Sequence, residues 1–378
     1  MFGKFMNNYY YGKSGKGDYT PEDLPKNRWQ LFFEMLRVRM SALCRLNLVY
    51  LVAWVPTLIV LFNLFSSCVQ TLNLPVSFET AYQSIVSAKN AGVGVNADGS
   101  VTVTDEEGNT TEYTVEVIGQ IEAFLDLSDA EVAQMQVEQF KADILKCLLL
   151  LIPCIFITGP WTAGVSYVTR NWARDEHAFI WSDCKDAMKE NWKGALLLSG
   201  ITAVIPLVAY LCWDFYGQMS VNSWFMVIPQ IFTLMAAITW YLAVTYAYPM
   251  LVTYRMSMKT VLRNSLLLAI GRLPLSVGIR LLHCVPVAVG LVLTVVTGSL
   301  YVPLILMAYY VLLGFCLSRF VTASYTNAQF DKFINSRIEG AQVNRGLSEE
   351  DDDDEEEEET ERELMPWENG YASRDNQE

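Results

Sequence analysis

The chain has 378 residues, 52% of them hydrophobic and 18% charged, and its mean hydropathy is +0.23. The apolar residues stand in long uncharged runs, which excludes the dispersed pattern of a soluble core. The formal charge of −14 is concentrated: residues 66–144 hold 13 acids and two Lys, residues 349–363 hold 13 acids and one Arg, and the remainder is net +9.

Residues 1–25 are polar and lack apolar periodicity. The first hydrophobic run begins only at Leu46, so no signal peptide is expected. Arg28 to Arg45 is basic and amphipathic, with Leu31, Phe32, Met35, Leu36 and Val38 as apolar contacts, and reads as an interfacial helix. Leu46 to Phe65 is a first span, with Asn47 near its start and Pro56 at its middle, where a kink is expected.

Residues 66–144 are a polar insert. The string VTVTDEEGNTTEYTVEV alternates Val and Thr around EEGN, the pattern of a β-hairpin turning at Gly108-Asn109. Helices are expected on either side, over Phe78 to Lys89 and Ala130 to Leu145, the second capped at Ser128-Asp129-Ala130-Glu131.

The second span is Cys147 to Val168, 22 residues without a charge. It runs into a mixed-charge segment whose apolar stripe, Ile180, Cys184, Ala187, Met188 and Trp192, follows the spacing of one helix face. The third span is Gly194 to Trp213, and the fourth is roughly Trp224 to Tyr254, carrying Gln230. The basic amphipathic segment MSMKTVLRNSLLLAIGRLP follows. The fifth span is roughly Pro274 to Gly298, with Arg280 and His283 near its start, and the sixth roughly Tyr301 to Ser318.

The expected fold is therefore all-α and polytopic, with about six transmembrane helices, cytoplasmic amphipathic elbow helices and a small extracytoplasmic α+β insert. Its parts are an N-terminal segment 1–45, a first span 46–65, the insert 66–144, a membrane domain 145–318 with five spans, and a tail 319–378. Lys and Arg number 8, 5, 5 and 6 in residues 1–45, 169–194, 253–280 and 319–378, against Lys89, Lys141 and Lys146 elsewhere. The positive-inside rule then puts both termini in the cytoplasm and the insert outside. Three times an amphipathic segment precedes two spans, the second ending in SYVTR, LVTYR or CLSR. Any three membrane hairpins share that order, and similarity between the three at the residue level is poor. The block SEEDDDDEEEEETERE cannot fold alone and reads as a solvated tail.

Within this frame Asn47-Leu48, Pro153, Thr158-Gly159-Pro160, Ala163, Tyr167-Val168, Arg170, Asp175-Glu176, Ile180-Trp181, Asp183, Ala187 and Asn191-Trp192 form a recognisable series. It resembles the YesL-like family of bacterial integral membrane proteins, domain of unknown function 624. The later YAYPMLVTYR and KTVLRNSLLLAI also look like that family. The acidic insert and acidic tail depart from its ordinary shorter members, and the Thr-Gly-Pro turn is one residue tighter. The resemblance implies an association with carbohydrate uptake, as an accessory to binding-protein-dependent importers.

No catalytic, cofactor-binding or metal-binding residues are singled out: HExxH, GxSxG, Walker A and GxGxxG in a strand–helix context are all missing, and the eight Cys show no CxxC spacing. The Lys and Arg follow topology, so nucleic acid is not an expected partner. Thr158, Gly159, Pro160 and Ala163 form a candidate helix-break and packing motif. Asn47, Gln230, Arg280 and His283 are the candidate polar path, and no intramembrane Asp or Glu is present to relay protons. The expectation is a non-enzymatic accessory of a solute-uptake system in a bacterial plasma membrane, its partners the lipid bilayer and an importer membrane subunit. The alternatives are a small-solute permease and a sensor whose outer cap binds a ligand.

Overall fold

The apolar runs become helices because little within them stops one. In the computed structural model, which describes residues 25–104, 108–299, 301–338 and 340–347, helix α1 runs unbroken over Arg28–Ala91. The interfacial helix and first span expected separately are thus parts of one 64-residue helix, which also forms the start of the insert. Neither Arg45-Leu46 nor Ser66-Ser67 supplies a Gly or Pro, and Pro56 and Pro75 both lie inside the helix. At 1.5 Å per residue it measures about 96 Å, some three times a bilayer core. Beyond Phe65 the polar side chains are folded back: Thr71, Thr80, Ser84 and Ser87 each donate to the carbonyl four residues earlier.

In the insert β1 (Val101–Thr104) pairs antiparallel with β2 (Thr110–Tyr113), Val101 opposite Tyr113 and Thr104 opposite Thr110. The hairpin is the one the Val/Thr alternation predicts, although residues 105–107 of its connection lie outside the described residues. The second strand is shorter than that alternation suggests. The Thr114 hydroxyl accepts the Val117 N–H and starts α2, Val115–Leu125, so the TVEV string turns into a helix. Ile85, Val101, Ile118 and Ile121 make a small core here. Gly94 has φ +73°, and a Cβ on it would collide with the Thr102 carbonyl oxygen.

Helix α3 covers Asp129–Trp172. Its start is a capping box: the Ser128 hydroxyl accepts the Glu131 N–H at 3.4 Å, and the Glu131 carboxylate accepts the Ser128 N–H at 2.9 Å. The flanking helices expected at Phe78–Lys89 and Ala130–Leu145 are therefore the end of α1 and the beginning of α3.

Helix α4, Ser182–Ser220, unites the elbow segment and third span in one helix. Ile180 of the predicted stripe precedes it, Cys184 and Ala187 are buried, and Trp192 is exposed. A 3-10 turn at Trp224–Met226 leads into α5, Val227–Thr253. Only the third elbow is a helix of its own: α6, Met258–Gly271, capped by Ser257 and followed by α7, Leu273–Thr297, with Pro274 in its first turn. The threefold order read in the sequence has no counterpart in element boundaries. The chain ends its described course through α8 (Tyr301–Tyr309), a π turn (Tyr310–Gly314) and α9 (Phe315–Phe333).

Five helical segments among the described residues are long and apolar enough to cross a membrane: Arg28–Ala91, Ser182–Ser220, Trp224–Thr253, Leu273–Thr297 and Tyr301–Arg337. The remaining expected span, the second (Cys147–Val168), lies in α3, which is not one of the five. Much of that run faces protein, with Ala163, Val165 and Val168 fully covered.

The chain divides into two units. One comprises the described residues up to Leu51, Pro160–Ala195 and those from Leu242 onward; its core gathers Tyr246, Met250, Val261, Ala269 and Phe330. The other is Val52–Gly159 with Leu196–Tyr241 and contains the hairpin. The acidic run at 349–363 and the polar segment 1–24 lie outside the described residues.

Candidate functional site

Asn47 is fully buried, and its partner is 263 to 269 residues away in sequence. Its Nδ2 donates to the carbonyls of Tyr310 (2.9 Å) and Val311 (2.7 Å), and its Oδ1 accepts the Cys316 N–H at 2.8 Å. The reason lies in the π turn: widening the helix by one residue takes backbone groups out of the ordinary ladder. A carboxamide carries the two donors and the acceptor needed to satisfy them. In an apolar run each such group left unpaired is expensive. Gly314 completes the turn, since a Cβ there would lie 2.6 Å from the Tyr310 ring. Asn47 is thus a fastener between α1 and the α8–α9 helix, with its polar capacity spent on backbone.

The Thr158-Gly159-Pro160 motif does not interrupt α3. The Thr158 hydroxyl folds back on the Ile155 carbonyl at 2.7 Å, and helix continues on both sides. Thr158 and Gly159 belong to one unit, Pro160 and the fully buried Ala163 to the other. Further along, Gly164 is pressed against α4, where a Cβ would lie 2.7 Å from both the Cys184 carbonyl oxygen and its sulfur. Thr162 bonds Tyr50 of α1 (2.8 Å), the Ser199 hydroxyl donates to the Phe156 carbonyl (2.8 Å), and the Trp172 indole donates to the Ala178 carbonyl (3.1 Å). The α3–α4 pair is built on small residues and hydroxyls. Residues 139–213 match the model of a family described as protein of unknown function, DUF624. No curated protein and no solved structure matches the chain. The DUF624 segment thus starts within α3, takes in the turn at Ala173–Trp181, and ends in α4 at Trp213. Asn47 lies outside it.

The DUF624 segment also meets a network that sequence reasoning missed. Asp331 of α9, with a side chain 3% exposed, pairs with Arg28 at the start of α1 at 2.9 Å. Its other oxygen accepts from the Asn335 amide at 2.5 Å, and Asn335 accepts from the Tyr254 hydroxyl at 2.7 Å. Arg28 reaches Asn344 as well. Tyr254 stands just past the end of α5. From the DUF624 segment, the Arg170 carbonyl accepts from Asn327, Arg174 donates to the Gln342 carbonyl, and Glu176 pairs with Arg345 at 3.2 Å. A lone Asp well past the last apolar run carries no local signal for this role.

The remaining path candidates have neighbours of their own. Gln230 donates to the Trp213 carbonyl at 3.2 Å, in the other unit. His283 lies 3.5 Å from the Thr322 hydroxyl, with Arg280 and Arg319 as electrostatic neighbours. Among the described residues no group of three or more His, Cys, Asp or Glu side chains is placed to hold a metal ion.

Proposed function

We propose that this protein is a non-enzymatic accessory or assembly component of a carbohydrate-uptake complex in a bacterial plasma membrane, with both termini cytoplasmic. The observation that carries the reading is the use made of its buried polar groups. Asn47 is consumed by the π turn and Asp331 by Arg28 and Asn335, so both fasten helices together rather than standing ready to meet a solute. The Lys/Arg asymmetry supports the orientation. The exposed aromatics near the expected span ends, Trp29, Trp181 and Trp192 in one unit and Trp213, Trp224 and Phe225 in the other, support the span boundaries. In this reading α3 supplies a sixth span, shielded by its neighbours.

Purification from the native host in mild detergent, followed by mass spectrometry, tests the proposal. A stoichiometric importer subunit is the expected result. A homogeneous protein without a partner, which carries sugars into liposomes by itself, would replace the accessory role with that of a permease.

A further inference from the structure

The insert carries a groove that none of the foregoing uses. Three adjoining depressions, of about 520, 290 and 520 Å³, run between the outer part of α1, the end of α2 and the first turns of α3. They are continuous: the second and third share Phe124, Val132 and Gln136, and the first shares Met135 with the second. Phe124 is held edge-on by Phe78 at 4.6 Å, and the Gln136 amide donates to the Thr71 carbonyl at 3.0 Å. The walls are therefore preformed.

Two chemistries alternate along it. The apolar lining is Leu127, Val132 and a half-exposed Met135 over the buried Phe124, with the amides of Gln134, Gln136 and Gln139 set among them. The rim carries Glu79, Asp129, Glu131 and Glu138, and no Lys or Arg is among the lining residues. Lys141 touches Glu138 at 2.9 Å, but the insert as a whole remains at −11. A flexible thioether beside aromatic and aliphatic carbon adapts to varied apolar side chains, and a carboxylate rim selects the sign of what approaches.

We propose that this groove docks a basic amphipathic helical segment of a partner protein, its apolar side chains on Leu127 and Met135 and its Lys or Arg side chains on the carboxylate rim. The site goes beyond the accessory reading and stands apart from it, since docking is measured without any importer.

The probe is a short labelled synthetic helix with Leu on one face and Lys on the other. Its anisotropy is followed against the full chain in phosphatidylcholine nanodiscs, with empty discs subtracted. Saturable binding is expected, weakened about tenfold by the triple change Glu79→Gln, Asp129→Asn and Glu138→Gln. Glu131 is left in place because it caps α3. Met135→Ser, at a half-exposed position, should weaken binding without touching the rim. Three results would overturn the proposal: no binding above empty discs, equal binding by the triple variant, or equal binding by a peptide with Ser in place of Leu.

Discussion

The two units treat polar side chains in opposite ways. In the unit that holds the start of α1, Pro160–Ala195 and the chain from Leu242 onward, key pairs are buried and join residues hundreds of positions apart, as Asn47 with Cys316 and Arg28 with Asp331. In the unit that carries the hairpin polar side chains are mostly exposed and paired with chain neighbours: Lys141 with Glu138, Gln83 with Glu79, Ser128 with Glu131. Long-range pairs in a low-dielectric interior fix which helices meet. Local pairs at the surface shape one helix end and are largely replaceable by water. Breaking members of each class should therefore give very different costs.

The largest effects are expected at Asp331 and Asn47. Asp331→Leu leaves Arg28 without its carboxylate, and losing one partner of a buried pair costs about 3–5 kcal/mol. Thermal unfolding in detergent would show it as a marked fall in midpoint. The double change Arg28→Met with Asp331→Leu should recover much of that loss, because no charge is then stranded. A single substitution costing no more than Lys141→Met would erase the distinction between the units. Asn47→Ala strips three backbone partners at about 1–3 kcal/mol for each buried group left unpaired, a loss of the same order. Hydrogen exchange should speed up across Tyr310–Cys316 and leave the hairpin unchanged.

Glycines sharpen the comparison on a smaller scale. Gly164→Ala must push a Cβ into the Cys184 carbonyl, a backbone atom that cannot swing aside, and overpacking of this kind costs about 1–3 kcal/mol. Gly119 sits inside α2, where an added Cβ would meet nothing within 4 Å. Gly119→Ala should therefore stabilise, by about 0.5–1 kcal/mol, because a helix interior favours Ala over Gly. Parallel melts of the two variants should move in opposite directions.

What could be read in the sequence was whatever rests on local pattern. The fourth and fifth spans, the hairpin strands and the Ser128 cap all follow from composition and spacing within a few turns of chain. Continuity was not legible. Arg28–Arg45 and residues 182–194 look like separate surface helices because their charge pattern changes, but a change of polarity does not end a hydrogen-bond ladder. Only after α6 does the chain supply a real stop, with Gly271 and then Pro274. Asn47 could be singled out as a polar group in a span, but not its role, because the π turn it satisfies lies at the far end of the chain. Asp331 gave no signal at all: its importance comes from Arg28, 303 residues away.

The smallest prediction concerns the local class and depends on pH. The Ser128 backbone N–H and then its hydroxyl hold the Glu131 carboxyl below its ordinary value of 4.5. A carboxyl whose pKa is lower folded than unfolded binds fewer protons in the native state. Its contribution is thus fully present above 4.5 and is lost as pH falls through the lowered value. Glu131→Gln keeps a side chain that can accept the Ser128 N–H but cannot titrate. Protection of the amides in the first turn of α3, taken relative to their intrinsic exchange rates, should therefore fall below pH 4.5 in the native chain and stay level in the variant. The effect should remain confined to that turn, because the capping box exchanges its bonds only within Ser128–Glu131. Loss of protection that spread to Asn47 and the π turn would mean that the local class is coupled to the long-range one, and the contrast between the two units would fail.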